Sequence, residues 1–244
     1  MIGAFYNAVN DISFPSFLYN EGKALQAVED LGWTYHNCGG NLTYIYKSPN
    51  PRIVARINYT KDFAFQIYAD LCQTLPHNPY LQNVYGHFTL KDGTHIAILE
   101  RLVHIPFKQD KNLPGRASAA NDFYRFLQEG YDHHDLSQKY LADPYVREAM
   151  QHLYATIDAH HGTGSRLRSS FDCHADNVMG RVLENGIIQP VITDPYETGE
   201  WVEKHDYIDN LTPWSVYLRR KVGLMDPSYF NNLPDNNRNS WILK

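Results

Sequence analysis

The chain has 244 residues, of which 43% are hydrophobic and 20% are charged, as in ordinary globular proteins. Its formal net charge of −5 argues against a broad nucleic-acid footprint, which would need a basic face. No apolar run approaches the roughly 20 residues of a membrane span, and the first residues show no secretory signal. The three cysteines are widely spaced and suit a reducing compartment. We therefore expect a cytoplasmic protein with no nucleic-acid or membrane partner.

The front of the chain is predicted to be rich in strands. A short helix is expected at 21–31, before the glycine pair Gly39-Gly40. A second helix is expected at 61–75, because Phe63, Ile67 and Leu71 recur at helical spacing. Alternating β-branched and aromatic residues, separated by turn signals at 48–51 and 91–94, predict strands at 41–47, 53–59, 81–90 and 95–102.

The rear of the chain is predicted to be mainly helical. Asp143-Pro144 is a typical helix start, with Asp as N-cap and Pro in the first turn, and the helix should end near His160. Its apolar positions are expected to be buried: Val146, Met150, Leu153, Tyr154 and Ile157. Further helices are expected at 118–130 and from Thr212-Pro213 to Gly223. The chain therefore divides into a strand-rich N-lobe with one inserted helix, 1–104, and a mainly helical C-lobe, 105–244. This is an α+β, two-lobed plan.

One hairpin interrupts the helical half. Asn185-Gly186 lies between two apolar runs, about 178–183 and 187–193, and predicts a two-residue turn in which both central residues have positive φ. The first strand follows a loop that carries Asp172 and, five residues later, Asn177. The second strand ends at Asp194, which the hairpin returns to that loop. Three oxygen-bearing side chains should thus converge at one end of the hairpin.

The segment SFDCHADNVM…PVITDP, with PNPRIVARI, a helix and NVYG earlier in the chain, resembles the protein-kinase family. More narrowly, it is similar to the early serine/threonine protein kinases of T-seven-like bacteriophages. The resemblance covers about 30–200 and is most specific over 169–196. It implies a compact, two-lobed protein-kinase-like fold with an abbreviated C-lobe, which binds ATP and Mg²⁺ and phosphorylates protein substrates, here host proteins.

The resemblance also implies roles for individual residues. Asp172 would be the catalytic aspartate that orients the attacking hydroxyl, and Asn177 and Asp194 would be the Mg²⁺ ligands. His174 stands where many serine/threonine kinases have a lysine, and would act with Asp172 on the transferred phosphate. Such a site needs little covalent chemistry from the protein, because phosphoryl transfer depends on positioning and charge neutralisation.

The nucleotide-anchoring residues depart from the kinase pattern. Arg56 stands where the resemblance implies a lysine on a strand, and these two cations are not interchangeable. The following helix offers Asp70, or Gln66, in place of a glutamate. Gly39-Gly40 would form the phosphate-covering loop in place of three spaced glycines.

These departures leave three alternatives to a protein kinase open. The first is a pseudokinase or host-inhibitory binding protein, favoured by Arg56 and by the missing glutamate. The second is a small-molecule kinase of the aminoglycoside or choline type, which uses the same Asp, Asn and Asp. The third is nucleotidyl transfer from a kinase fold.

Overall fold

The computed structural model describes a subset of the chain, which forms two compact units. The first unit comprises Met1–Pro76 and Gln82–Leu102, and the second comprises His77–Leu81 and Val103–Lys244. In the described part of the chain, no helix combines the length and apolarity that crossing a bilayer requires. The described residues are 29–38, 43–58, 63–89, 95–105, 115–128, 134–160, 167, 171–172, 177–197, 217–219 and 221–224.

The first unit is built on a five-stranded antiparallel sheet with one helix inserted in the chain between its third and fourth strands. The strand order across the sheet is β1-β2-β3-β5-β4. The first strand, β1, was not predicted from the sequence. The elements are β1 (Thr34–Cys38), β2 (Thr43–Lys47), β3 (Ile53–Asn58), α1 (Phe63–Thr74), β4 (Val84–Thr89) and β5 (His95–Glu100).

Helix α1 buries only one end of the predicted apolar stripe, at Leu71. Phe63, at the start of the predicted apolar stripe, is 54% exposed, whereas Phe65 and Tyr68 are fully buried. The hydroxyl of Tyr68 accepts a hydrogen bond from the backbone N–H of Gln82 at 3.2 Å, which satisfies a polar group inside the core. The prediction of a helix is therefore correct, but its orientation is set by the tertiary packing of two large aromatic rings.

In the described part of the second unit, three helices of nine or more residues accompany a three-stranded antiparallel sheet in the order β6-β7-β8. Helix α3 was not predicted. The described elements confirm the predicted α+β class, and the order of strands and helices agrees with the protein-kinase-like plan. The elements are β6 (Val103–His104), α2 (Gly115–Gln128), α3 (His134–Ala142), α4 (Pro144–His160), β7 (Val178–Val182) and β8 (Ile188–Ile192).

Helix α4 begins and packs as the sequence predicts. The side chain of Asp143 accepts a hydrogen bond from the N–H of Tyr145 at 2.9 Å, and thereby caps the helix. All five predicted apolar positions are buried. The predicted helix end at Gly223 is also confirmed: this residue has a φ of 82°, and the N–H of Leu224 donates to the carbonyl of Arg219 at 2.8 Å. The predicted start of that helix and the predicted helix at 21–31 lie wholly or largely outside the described residues.

The β7–β8 turn differs from the predicted two-residue type. Within this turn only Gly186 has a positive φ, 74°. Among all the described residues, positive φ values occur only at glycines. The N–H of Gly186 donates to the carbonyl of Leu183 at 2.8 Å, and the N–H of Leu183 donates to the carbonyl of Ile187 at 2.9 Å. This is a three-residue loop in which glycine takes the left-handed position. Asn185 instead contributes its side-chain oxygen, which accepts from the N–H of Ile187 at 3.0 Å.

Gly180 allows the strands of the small sheet to pack closely. A Cβ atom added to this residue would lie 3.1 Å from a methyl carbon of Val103 and 3.3 Å from a side-chain carbon of Ile105, and closer still to Ile188. We expect Gly180→Ala to lower the free energy of unfolding by about 1–3 kcal/mol through overpacking. Thermal unfolding measures the change. Val182→Ala, in the same strand at a side chain that is 57% exposed, is the control and should unfold near the wild-type temperature. An unchanged Gly180→Ala protein would contradict this prediction.

Candidate functional site

The loop before β7 is closed by a side-chain hydrogen bond between two of the predicted site residues. The Nδ2 of Asn177 donates to the backbone carbonyl of Asp172, five residues earlier, at 2.7 Å. Asn177 is buried, so this bond satisfies a polar group that is largely removed from water. The five-residue spacing of Asp172 and Asn177 therefore has a structural role, because the side-chain amide of Asn177 fixes the backbone at Asp172.

The returning strand is joined to the same loop by two backbone hydrogen bonds. The N–H of Thr193 donates to the carbonyl of Asn177 at 3.0 Å, and the N–H of Asp172 donates to the carbonyl of Pro195 at 2.9 Å. Asp194 lies between these two bonded residues. The structure thus brings Asp172, Asn177 and Asp194 together at one end of the hairpin, and we call them the carboxylate–amide set.

The carboxylate–amide set has the donor atoms that Mg²⁺ prefers. Because Asn177 uses its nitrogen to donate, its Oδ1 is the atom that can accept or coordinate. Mg²⁺ is commonly held by one or two carboxylates, with waters and substrate phosphates completing its coordination. Within the described ranges, no cluster of three or more His, Cys, Asp or Glu residues is arranged to hold a metal. A site at the hairpin would therefore combine two carboxylates with an amide. His174 lies outside the described residues.

Helix α4 supports both chain segments of the site. The ring of Phe171, which directly precedes Asp172, lies 4.3 Å from the ring of Tyr154 between centroids. The hydroxyl of Tyr196, two residues after Asp194, donates to the carbonyl of Leu153 at 3.0 Å. These supporting contacts were missed in the sequence. The one available signal was that an aromatic residue stands within two positions of each aspartate.

The first unit contains the predicted nucleotide-anchoring cation. The guanidinium carbon of Arg56 lies 3.7 Å from the centroid of the Phe65 ring, and its Nε donates to the Oδ1 of Asn58 at 3.1 Å. Phe65 belongs to α1, so Arg56 lies on the side of the sheet that faces this helix. Its role with a nucleotide stays a prediction. Gly39 and Gly40 lie outside the described residues.

Asp70 takes part in a chain of polar contacts that connects α1 to the sheet. Its Oδ1 lies 3.1 Å from the Nε2 of His87, and the Nδ1 of His87 lies 3.1 Å from the Nε2 of His95. Burial, together with electrostatic interactions with His87 and Arg56, lowers the pKa of His95 from 6.5 to about 3. His95 is therefore neutral at ordinary pH. The proposed role of Asp70 in nucleotide binding also stays a prediction.

We expect the buried His95 to make the protein sensitive to acid. Its folded pKa of about 3 lies below its unfolded value of 6.5, so the unfolded chain binds the extra proton first as pH falls. This loss of stability begins near pH 6.5 and continues towards pH 3, with a slope of up to about 1.4 kcal/mol per pH unit. His95→Gln should show a shallower dependence of unfolding free energy on pH over this range. His152→Gln, on the exposed side of α4, is the control and should keep the wild-type slope.

The donating role of Asn177 can be tested by an isosteric change. Asn177→Asp places an acceptor against the carbonyl of Asp172, and we expect it to lower the free energy of unfolding by about 1–3 kcal/mol at neutral pH. A protonated carboxyl can donate as the amide does, so the pKa of the new side chain is raised in the fold. The difference in unfolding free energy between the wild type and this variant should therefore shrink as pH falls and grow as pH rises. Urea unfolding at a series of pH values measures this difference.

Asn185→Asp is the matched control for this substitution. Asn185 accepts through its side-chain oxygen, and a carboxylate can accept in the same place. This variant should unfold like the wild type at neutral pH. Equal behaviour of the two variants would show that the amide of Asn177 contributes nothing as a donor.

No family model matches the chain, and no curated protein matches its sequence. Similar solved structures include the GDP and kanamycin complex of the aminoglycoside phosphotransferase APH(2″)-IIIa. That structure has 13% sequence identity and a TM-score of 0.37, over 93% of this chain and 84% of that chain. Another is the GDP complex of a mutant aminoglycoside phosphotransferase-IIIa, with 12% identity and a TM-score of 0.36, over 87% and 83% of the two chains. Neither likeness assigns an activity or a substrate to this chain.

Proposed function

We propose that this protein is an ATP- and Mg²⁺-dependent phosphotransferase. The observation that carries the proposal is the hydrogen-bonded closure of the carboxylate–amide set. One bond joins Asn177 to Asp172, and two more tie that loop to the residues on either side of Asp194. The same three residue types in the same order serve phosphoryl transfer in protein kinases. The closure gives this chain a physical means of holding them together.

In the proposed reaction, the carboxylate of Asp172 orients the acceptor hydroxyl and takes its proton. The hydroxyl oxygen forms a bond to the γ-phosphorus of ATP, the bond from that phosphorus to the bridging oxygen breaks, and ADP leaves. Asn177 through its Oδ1 and Asp194 through its carboxylate would hold Mg²⁺. The ion supplies neutralisation of the charge on the phosphates.

The remaining predicted residues would bind the nucleotide. Arg56 can donate two parallel hydrogen bonds to phosphate oxygens, which a lysine cannot. The resemblance places Gly39 and Gly40 over the phosphates, Asp70 beside the cation, and His174 at the transferred phosphoryl group. The acceptor is proposed to be a serine or threonine of a protein, and specifically of a host protein, from the resemblance to phage kinases. A small-molecule acceptor would use the same three residues.

A pseudokinase or binding protein is the second candidate. The contacts in the first unit favour it, because Arg56 already stacks on Phe65 and bonds to Asn58, while Asp70 is paired with His87. A nucleotide would have to compete with these contacts. Thermal unfolding with ATP and Mg²⁺ separates the candidates, because a ligand that binds the folded state raises its stability by mass action.

We expect the wild-type protein to transfer the γ-phosphate of labelled ATP to proteins in a bacterial lysate, and chelation of Mg²⁺ to stop the transfer. Asp172→Asn keeps the side-chain shape and removes the base, so it should lower the rate by about 10²–10⁴-fold. Mass spectrometry of the products identifies the acceptor and whether a phosphoryl or nucleotidyl group is transferred.

The control for Asp172→Asn is Asp122→Asn. Asp122 is a partly exposed aspartate on α2 that lies 3.6 Å from Lys139, and its change should leave the rate unaltered. Phosphate transfer at the wild-type rate by Asp172→Asn would exclude Asp172 from the proposed mechanism. Absence of both transfer and stabilisation by ATP in the wild type would favour the binding protein, and label on a metabolite instead of a protein would favour a small-molecule kinase.

A further inference from the structure

A buried cation packs against helix α4 close to the site. Arg219 is only 1% exposed, and its guanidinium carbon lies 4.3 Å from the centroid of the Tyr154 ring. Its Nη2 and Nε donate to the Oδ1 of Asp158 at 3.1 and 3.3 Å. A desolvated cation is stabilised only where it is paired, and here a carboxylate and an aromatic ring both contribute. The ring of Tyr154 is thus fixed by a contact from a distant part of the chain.

The same ring contacts the residue that precedes the proposed base. Tyr154 is 2% exposed, and the Phe171 ring lies 4.3 Å from it with an angle of 31° between the planes. Asp172 follows Phe171 directly, so a shift of the Phe171 ring is transmitted to Asp172 through a single peptide bond. The preceding residue on α4, Leu153, accepts through its backbone carbonyl the hydrogen bond from the hydroxyl of Tyr196, two residues after Asp194. Two successive residues of α4 therefore hold the two segments of the site.

We propose that Tyr154 is a positioning residue for Asp172, which it holds through Phe171, and that Arg219 and Asp158 fix the ring of Tyr154. This inference rests on the proposed function, in which Asp172 orients the acceptor hydroxyl. Misplacement of a reacting group by about 1 Å can lower a rate by about 10²-fold. Loss of the stack should therefore impair turnover more than it impairs nucleotide binding.

The first test compares three variants in the transfer assay. Tyr154→Leu removes the ring, and kcat should fall by about ten- to a hundred-fold while KM for ATP stays nearly unchanged. Tyr154→Phe keeps the ring and should recover most of kcat. Phe126→Leu is the control for lost core packing, because Phe126 belongs to an aromatic cluster with Phe123 and Tyr140 in the same unit. At equal loss of stability, Phe126→Leu should keep the wild-type kcat.

The second test does not depend on activity. The N–H of Asp172 donates to the carbonyl of Pro195, so its hydrogen–deuterium exchange reports whether the segment is held. Exchange at this amide should be faster in Tyr154→Leu than in Phe126→Leu at matched stability, and near the wild-type rate in Tyr154→Phe. If Tyr154→Leu does not fold, Phe171→Leu, at a half-buried residue, tests the same stack with the same measurements.

The outcomes separate the two proposals. Equal exchange at Asp172 in Tyr154→Leu and Phe126→Leu, or equal losses of kcat in the two, would overturn the positioning role. Absence of phosphoryl transfer by the wild-type protein would overturn the proposed function. The exchange measurement would then still decide whether Tyr154 holds the Asp172 segment.

Discussion

The candidate site depends on one hydrogen bond, from the buried side-chain amide of Asn177 to the carbonyl of Asp172. A D-x-x-x-x-N spacing by itself is a common feature of loops, because both residues stabilise turns. Here the amide nitrogen is committed to the backbone, which leaves the amide oxygen for a ligand and fixes the loop. The bonds of Thr193 and Pro195 to the same loop bring Asp194 into place. An asparagine suits this position because its amide can donate and accept at once, whereas an ionised aspartate can only accept.

The site lies on loop ends that are anchored to a rigid helix, an arrangement that suits precise chemistry on irregular backbone. Helix α4 is buried along its apolar face, and it presents the ring of Tyr154 and the carbonyl of Leu153 to the two site segments. The stability of the core and the geometry of the site are therefore linked. The ring of Tyr154 is in contact with Phe171, which directly precedes Asp172, whereas Phe126 packs in a separate cluster with Phe123 and Tyr140.

The first unit shows how burial controls charge. The pKa of His95 is lowered because desolvation, with smaller contributions from His87 and Arg56, opposes its protonation. The guanidinium of Arg56 is accommodated by the face of Phe65 and by a hydrogen bond to Asn58. The resemblance implies a lysine at this position, and the arginine found there stacks on an aromatic ring of α1. The stacking of Arg56 on Phe65 matters for both candidate functions, because a bound nucleotide would need hydrogen bonds from the same guanidinium.

Local chemistry made several features predictable from the sequence alone. The cap at Asp143, the apolar face of α4, the helix end at Gly223 and the convergence at the hairpin each depend on residues close together in the chain. Part of the buried face of α1 and the elements β1 and α3 were missed, because packing against other residues overrides local preference. The turn type at Asn185 was mistaken, because only Gly186 takes a positive φ and the side chain of Asn185 accepts from the N–H of Ile187. The contact of Arg219 with Asp158 spans 61 residues, and no periodicity indicates it. The sequence by itself determined which residues could perform the chemistry, since donor atoms and spacing are local properties. Only the tertiary structure decided how these residues are held, because the partners of a buried ring or ion pair can be far away in the sequence.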